Sequence, residues 1–154
     1  MGSATLQNEF WNKQPKDWSE LSEPNHQPLL SAMLEATQVD KNTVLLDVGF
    51  GGGASSVMAS ERGAEVYGID ASSASVEIAS QRLPDATFVE GDIESMSYPD
   101  GQFDVVFAAN VLQYAENRQI AAAELARVCS RTGKVSLAYL DRQIGLHTEQ
   151  YSKR

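Results

Sequence analysis

A short apolar run, Thr43-Val44-Leu45-Leu46-Asp47-Val48, ends abruptly on Gly49-Phe50-Gly51-Gly52-Gly53. An apolar run of this length that stops at glycines reads as a strand buried on both faces, and such strands belong to parallel sheets covered by helices. Glycines at alternate positions let the chain turn sharply. They also let a ligand lie directly on the backbone, where any Cβ would block it. A helix that starts here aims its unpaired N–H groups at that ligand. A tight turn without a ligand uses the same residues, so the meaning of the glycines depends on what surrounds them.

The surroundings repeat one theme. Ala54, Val57 and Met58 mark a helix face that Gly63 stops. Glu65–Asp70 reads as a second strand. Ser72 or Ser73 caps the next helix, whose face is Ala71, Ala74 and Ile78 and whose end is Pro84. Residues 86–90 read as a third strand and 103–108 as a fourth. Ala121, Leu125, Val128 and Cys129 then form a helix face that Gly133 ends, and 134–140 reads as a fifth strand. Upstream, Pro28 opens a helix with Leu30, Met33 and Leu34 on one side. Residues 1–27 are polar but carry Phe10, Trp11 and Trp18, and read as an N-terminal cap or lid on a domain spanning 28–154. Strands alternating with helices imply right-handed βαβ units and an α/β, doubly wound parallel sheet.

Composition bounds the partners. The 154 residues suit one domain with one core. The net charge is −9, and residues 47–104 hold eleven acidic side chains against two basic ones. That balance argues against nucleic acid, which requires clustered Lys and Arg. No apolar stretch is long enough to span a bilayer, so no membrane partner is expected. The single cysteine, Cys129, rules out an intrachain disulfide framework and reads as helix packing, which fits a reducing, cytoplasmic setting. His26 and His147 are too far apart to suggest a metal site.

In an open sheet of this kind, ligands bind at the carboxyl ends of the strands. Asp70, at the tip of strand two, can accept two hydrogen bonds from a ribose diol, and can equally cap a helix. Asp92, in Gly91-Asp92-Ile93 after strand three, can accept from an adenine amino group while Ile93 packs on the ring; it also suits a turn. Together with the glycine turn, these make three polar fixtures at three successive strand tips.

These residues resemble the class I S-adenosylmethionine-dependent methyltransferases of the small-molecule, quinone-biosynthesis type. Asp47-x-Gly49-x-Gly51-x-Gly53 is similar to that family's first motif, Val66–Asp70 to its second and Glu90-Gly91-Asp92-Ile93 to its third. Phe103–Leu112 resembles its fourth strand and beyond, and Leu125-Ala126-Arg127-Val128 with Gly133-Lys134 its approach to strand five. The resemblance implies S-adenosyl-L-methionine as cofactor. It implies that Gly49, Gly51 and the Phe50 backbone lie against the methionine part. Asp70 would hold the ribose hydroxyls, Asp92 and Ile93 the adenine, and the Ala108–Asn110 backbone the amino-acid end, with Asp47, Gly53 and Ala71 also among the cofactor-binding residues. Phe50 departs from the family, which often has a small residue there; its ring would narrow the pocket or pack outward.

Methyl transfer needs positioning more than it needs catalytic groups. Gln113 and Tyr114, just past strand four, are the catalytic candidates, although loop packing accounts for them too. Trp11 and Trp18 would lid the site. No Asn-Pro-Pro-Tyr or Asp-Pro-Pro-Tyr follows strand four, which points to a small-molecule O, N or C acceptor. The resemblance also implies a Rossmann-like sheet of order 3-2-1-4-5 and two last strands that this chain lacks, since 141–150 reads as a loop or short helix. The edge of strand five would then be covered by a homodimer partner, a swapped segment or the residues after Gly145. A cofactor-binding protein or fragment without turnover is one alternative. A nicotinamide-dependent oxidoreductase is another, because Gly49-x-Gly51-x-x-Ala54 with Asp70 also fits the dinucleotide fingerprint. Asp47 and Asp92 argue against it.

Overall fold

The computed structural model describes residues 4–13, 23–141 and 145–152. Five helices, α1 (Ala4–Trp11), α2 (Glu23–Ala36), α3 (Ala54–Glu61), α4 (Ser73–Arg82) and α5 (Arg118–Val128), flank one sheet. Its strands are β1 (Val44–Val48), β2 (Glu65–Asp70), β3 (Thr87–Glu90), β4 (Phe103–Ala109), β5 (Cys129–Asp141) and β6 (Gly145–Ser152). The order is β3-β2-β1-β4-β5-β6, parallel from β3 through β5, as the alternation requires. The order reverses direction at β1, so the crevice between β1 and β4 opens where such sheets bind ligands.

β1 shows why the run at 44–48 is apolar apart from Asp47. Successive side chains of a strand point to opposite faces. Leu46 and Val48 join Ile69, Phe103, Val106, Leu125 and Val128 under α5. Leu45 joins Leu30, Met33, Leu34, Ala59, Val66 and Phe107 under α2 and α3. Both faces are therefore covered, and each fully buried aliphatic or aromatic side chain contributes about 1.5–3 kcal/mol.

Helix ends follow local chemistry. Ser72 accepts from the Ser75 N–H at the start of α4, and Leu83, before Pro84, closes it. α3 gives way to Arg62 and then Gly63. Within these helices the buried positions differ from those expected. α4 buries Ser75 and Ala79 rather than Ala74 and Ile78. α3 buries Ala54, Ser55, Ser56 and Ala59 while Val57 and Met58 are half-covered. Small residues face the sheet because the helices sit close to it.

Four further expectations are corrected. α2 begins at Glu23, so Pro28 lies inside it. Pro28 lacks the N–H that would pair with the Pro24 carbonyl, so the helix carries one missing bond near its start. Cys129 opens β5 instead of closing a helix; it is buried against the core all the same. The β4–β5 register jumps from Phe103↔Cys129 to Val105↔Lys134, so Gly133 sits in a bulge and not at a helix end. Finally, residues 145–152 are a strand. β6 pairs antiparallel with β5 from Asp141↔Gly145 to Lys134↔Ser152, so the chain itself covers the β5 edge. The sheet thus has one of the two strands expected to be missing. Pairing satisfies the row of backbone donors and acceptors that an open edge leaves exposed.

Candidate functional site

The site is built where β1 ends. Gly49 has φ +67°, and a Cβ on it would lie 2.3 Å from Val111 Cγ2. The segment after β4 therefore packs directly on the turn, which only glycine permits. Gly49 N–H donates to Ile69 O at 2.8 Å, tying the turn to β2. Gly53 stands at the N-cap of α3.

Asp47 points into the protein beneath that turn. Its Oδ2 accepts from Ser55 Oγ at 2.5 Å and Ser56 Oγ at 2.6 Å, the first turn of α3. Burial pushes its pKa up to about 6; the two serine hydroxyls pull the other way, and the nearby Asp70 and Glu23 charges push it higher. Asp70 closes the tip of β2. Its Oδ2 accepts from Gly51 N–H and its Oδ1 from Ser72 N–H, both at 2.9 Å. Burial raises its pKa to about 6 against the pull of those backbone donors. A carboxylate offers about four acceptor positions. The backbone donors of Gly51, Ser72 and Ala71 draw on that capacity, and Asp70 also lines the cavity described next.

That cavity holds about 1210 Å³ of space, its open mouth included. It brings together Asp47, Gly49, Phe50, Gly51, Asp70 and Ala71 with Asp92, Ile93, Asn110 and Tyr114. Three of the expected residues are not on its wall. Gly53 packs on Ala79, Ala108 is in the β4 core, and Gln113 is turned toward Asn110, its Nε2 3.5 Å from Asn110 Oδ1. Asp92 makes the turn contact, Oδ1 accepting from Glu94 N–H at 2.9 Å, and still reaches the cavity. Asn110 holds φ +55° and donates its N–H to Ala138 O at 2.7 Å. The Phe50 ring lies against Phe88, centroids 4.7 Å apart, over Gly68. A Cβ at Gly68 would sit 2.5 Å from Phe88 and 2.6 Å from Phe50, so the glycine makes room for both rings. The ring thus packs outward onto the sheet while one side still walls the cavity.

The N-terminal helices form the remaining wall, which the sequence did not reveal in detail. Gln7 Nε2 donates to Tyr114 O at 3.2 Å, and Trp11 meets Tyr114 edge-on, centroids 5.5 Å apart. Asn12 Oδ1 accepts from Ser72 Oγ at 2.7 Å. Glu23 pairs with Arg82 at 2.8 Å, and Arg82 also donates to Gly52 O at 2.6 Å, clasping α2 to the glycine turn. Glu23, His26 and Leu30 recur at i, i+3 and i+7 on the cavity side of α2, a helical signal that was available. Trp18 lies outside the described residues.

The charge of the wall is one-sided. Among the described residues, Glu23, Asp47, Asp70 and Asp92 line it with no lysine or arginine, and Arg82 behind it pairs with Glu23. Such a wall attracts a cationic ligand and repels a diphosphate. Among the described residues no trio of His, Cys, Asp or Glu is placed to hold a metal ion, and no helix is long and apolar enough to cross a membrane.

Comparison with known proteins agrees with this arrangement. A family profile described as a methyltransferase domain matches residues 46–137. Malonyl-[acyl-carrier protein] O-methyltransferase of Serratia marcescens is 39% identical over 93 residues, 60% of this chain and 36% of that protein. The 2-methyl-6-phytyl-1,4-hydroquinone methyltransferase of Synechocystis sp. is 35% identical over 113 residues, 68% of this chain and 36% of that protein. This chain therefore spans about a third of the length of these relatives. An S-adenosylmethionine-dependent methyltransferase from Mesorhizobium loti superposes with TM-score 0.67 at 26% identity, covering 75% of this chain and 53% of that one. The methyltransferase bound to the Trm112 activator of Haloferax volcanii superposes with TM-score 0.76 at 22% identity, over 86% and 60%, and speaks for the fold alone. With strand order, glycine turn and family profile in agreement, the chain belongs to the methyltransferase-domain family of class I, S-adenosylmethionine-dependent methyltransferases.

Proposed function

We propose that this chain binds S-adenosyl-L-methionine in the β1–β4 crevice and transfers its methyl group to a small molecule. The observation that carries the reading is a wall of described residues on which Asp47, Asp70 and Asp92 have no basic partner and Glu23 alone is paired, with Arg82. S-adenosylmethionine bears a sulfonium and an ammonium, both cations that such a wall attracts. A nicotinamide dinucleotide brings a diphosphate that the same wall repels. The residues present also fit the rest of the cofactor. Asp70, at the tip of β2 on the cavity wall, offers its remaining acceptor capacity to a ribose diol. Asp92 and Ile93 sit together at the β3 tip for the adenine. The Gly49–Gly51 backbone, with Asn110 opposite, suits the methionine part.

When bound, the cofactor supplies a methyl group on a sulfonium whose departure leaves a neutral thioether. The protein's share is to hold donor and acceptor in line and keep water out, which is worth up to roughly 7–11 kcal/mol. α1 and α2 close the cavity and would act as the lid. Tyr114, on the wall beside Trp11, is assigned a contact with the acceptor, and Gln113 a place in the supporting layer behind Asn110. The test is methyl transfer from radiolabelled S-adenosylmethionine to a panel of small phenols, quinols, amines and carboxylic acids. Label in at least one product supports the reading. Tight cofactor binding with no labelled product in any class would leave a binding protein instead.

A further inference from the structure

Resting on the reading above, we propose that Glu94 is a positioning residue that ties the turn at the adenine to the segment carrying Tyr114, so that a filled cofactor site steadies the acceptor wall. Asp92 and Ile93 stand on the cavity wall, and Glu94 follows them. The Glu94 N–H donates to Asp92 Oδ1 at 2.9 Å, and the Ser95 N–H donates to Asp92 O at 3.1 Å. Residues 92–95 are therefore one closed turn of the kind that an aspartate organises. Whatever fixes Asp92 and Ile93 fixes the Glu94 backbone with them. The Glu94 side chain reaches across to the segment after β4. Its Oε1 accepts from the Glu116 N–H at 2.7 Å and its Oε2 from the Asn117 N–H at 3.2 Å. Backbone bonds to a carboxylate are among the stronger hydrogen bonds of a protein. Asn117 is the N-cap of α5, and its own side chain accepts from the Gln119 and Ile120 N–H groups. Glu94 thus grips the chain just before a helix, where a negative charge is favoured.

That grip decides where Tyr114 stands. Leu112–Tyr114 is a single 3₁₀ turn with no buried residue. Its own bonds, Tyr114 N–H to Val111 O at 3.0 Å and Ala115 N–H to Leu112 O at 3.2 Å, are local. They shape the turn without placing it, and placement comes from its two ends. Before the turn, Asn110 N–H donates to Ala138 O, and Val111 packs on Gly49. After it, Glu94 holds Glu116 and Asn117 from 22 and 23 positions away. Gln7 and Trp11 meet the turn from α1. A short turn follows its anchors, and Glu94 is the anchor that comes from the cofactor side. Coupling of this kind is reciprocal, so what the cofactor does to the Tyr114 segment, that segment does to the cofactor.

The test is amide hydrogen exchange, read by NMR on the whole chain as wild type, Glu94→Ala and Glu94→Gln, with and without saturating S-adenosylhomocysteine. Without ligand, the Glu116 and Asn117 amides should exchange at least about tenfold faster in E94A than in wild type. E94Q keeps one acceptor oxygen of the two and should fall between them. Saturating S-adenosylhomocysteine should slow the amides of 112–117 about fivefold or more in wild type and leave them unchanged in E94A. Where E94A does not fold, the slowing in E94Q decides, and it should be smaller than in wild type. Calorimetry should show the S-adenosylhomocysteine affinity of E94A lower by no more than the factor by which exchange slows in wild type. Equal slowing in variant and wild type, or slowing at 92–95 without slowing at 112–117, would overturn the link. Unchanged exchange of E94A without ligand would overturn the grip itself. A larger loss of affinity would make Glu94 a direct ligand of the cofactor and overturn its positioning role. Failure of the wild type to bind S-adenosylhomocysteine would instead strike the reading on which this one rests.

Discussion

Asp47 makes a testable contribution to stability. Burial raises its pKa from 3.8 to about 6 in the folded chain. A carboxyl whose folded pKa lies above its unfolded value gives stability that is present in full below the unfolded value. That stability is lost as pH rises through the folded one. The window here is about pH 4 to 6. At 1.36 kcal/mol per unit, a shift of about two units amounts to roughly 3 kcal/mol. Asp47→Asn keeps the shape and removes the titration. The stability difference between wild type and D47N should therefore move by roughly 3 kcal/mol in favour of D47N between about pH 4 and pH 7. Urea unfolding at half-unit steps across that range measures it. A difference that stays flat with pH, or one that favours the wild type as pH rises, would refute the account of Asp47 as a carboxyl whose burial outweighs the hydrogen bonds of Ser55 and Ser56.

Other consequences are as definite. Asp70 has a pKa near 6 before ligand arrives, and donors from a ribose diol stabilise its charged form. Cofactor affinity should therefore fall up to tenfold per pH unit below about 6, with proton release on binding at pH 5; calorimetry in two buffers reads both. Gly49→Ala meets left-handed backbone and Val111 at once and should cost roughly 2–4 kcal/mol in urea unfolding, of which Val111→Ala in the same chain should restore part. Arg127 grips Glu124 through Nε at 2.6 Å and through a second nitrogen at 2.9 Å, and donates to the carbonyls of Tyr98 and Met96. Arg127→Met should cost about 2 kcal/mol, several degrees of Tm, and loosen the 96–101 loop in hydrogen exchange.

What the sequence discloses is what neighbouring residues decide. β1, β2 and β4 are legible because they are short, mainly apolar runs that end at glycine, aspartate or asparagine. The caps at Ser72 and Gly63 are legible because they act within one turn. β6 is not. Leu146-His147-Thr148-Glu149-Gln150-Tyr151 has no clear apolar face, and its strand form rests on pairing with β5. Cys129 misleads because the helical spacing from Ala121 runs unbroken into the first residue of a strand. In the site, Asp47, Asp70 and Asp92 are legible as strand-tip carboxylates. The Arg82 link between Glu23 and the Gly52 carbonyl joins residues 59 and 30 positions apart, and no local pattern announces it. The cap formed by the N-terminal segment is legible from its aromatics, but which of its residues meet Tyr114 and Ser72 is set by contacts between distant positions. Gln113 and Tyr114 are adjacent in sequence, and only the turn at Leu112–Tyr114 decides that one of them reaches the cavity.

The central claim is that the acidic crevice holds S-adenosylmethionine through Asp70. Calorimetry at pH 7.5 on the wild type and Asp70→Asn tests it most directly, with urea unfolding to show that both are folded. Two hydrogen bonds to a charged acceptor are worth roughly 3 kcal/mol or more. The wild type should bind the cofactor, and D70N should bind it at least about 100-fold more weakly, with NADH binding neither. Equal affinity in the two proteins, or preference for NADH, would contradict the account.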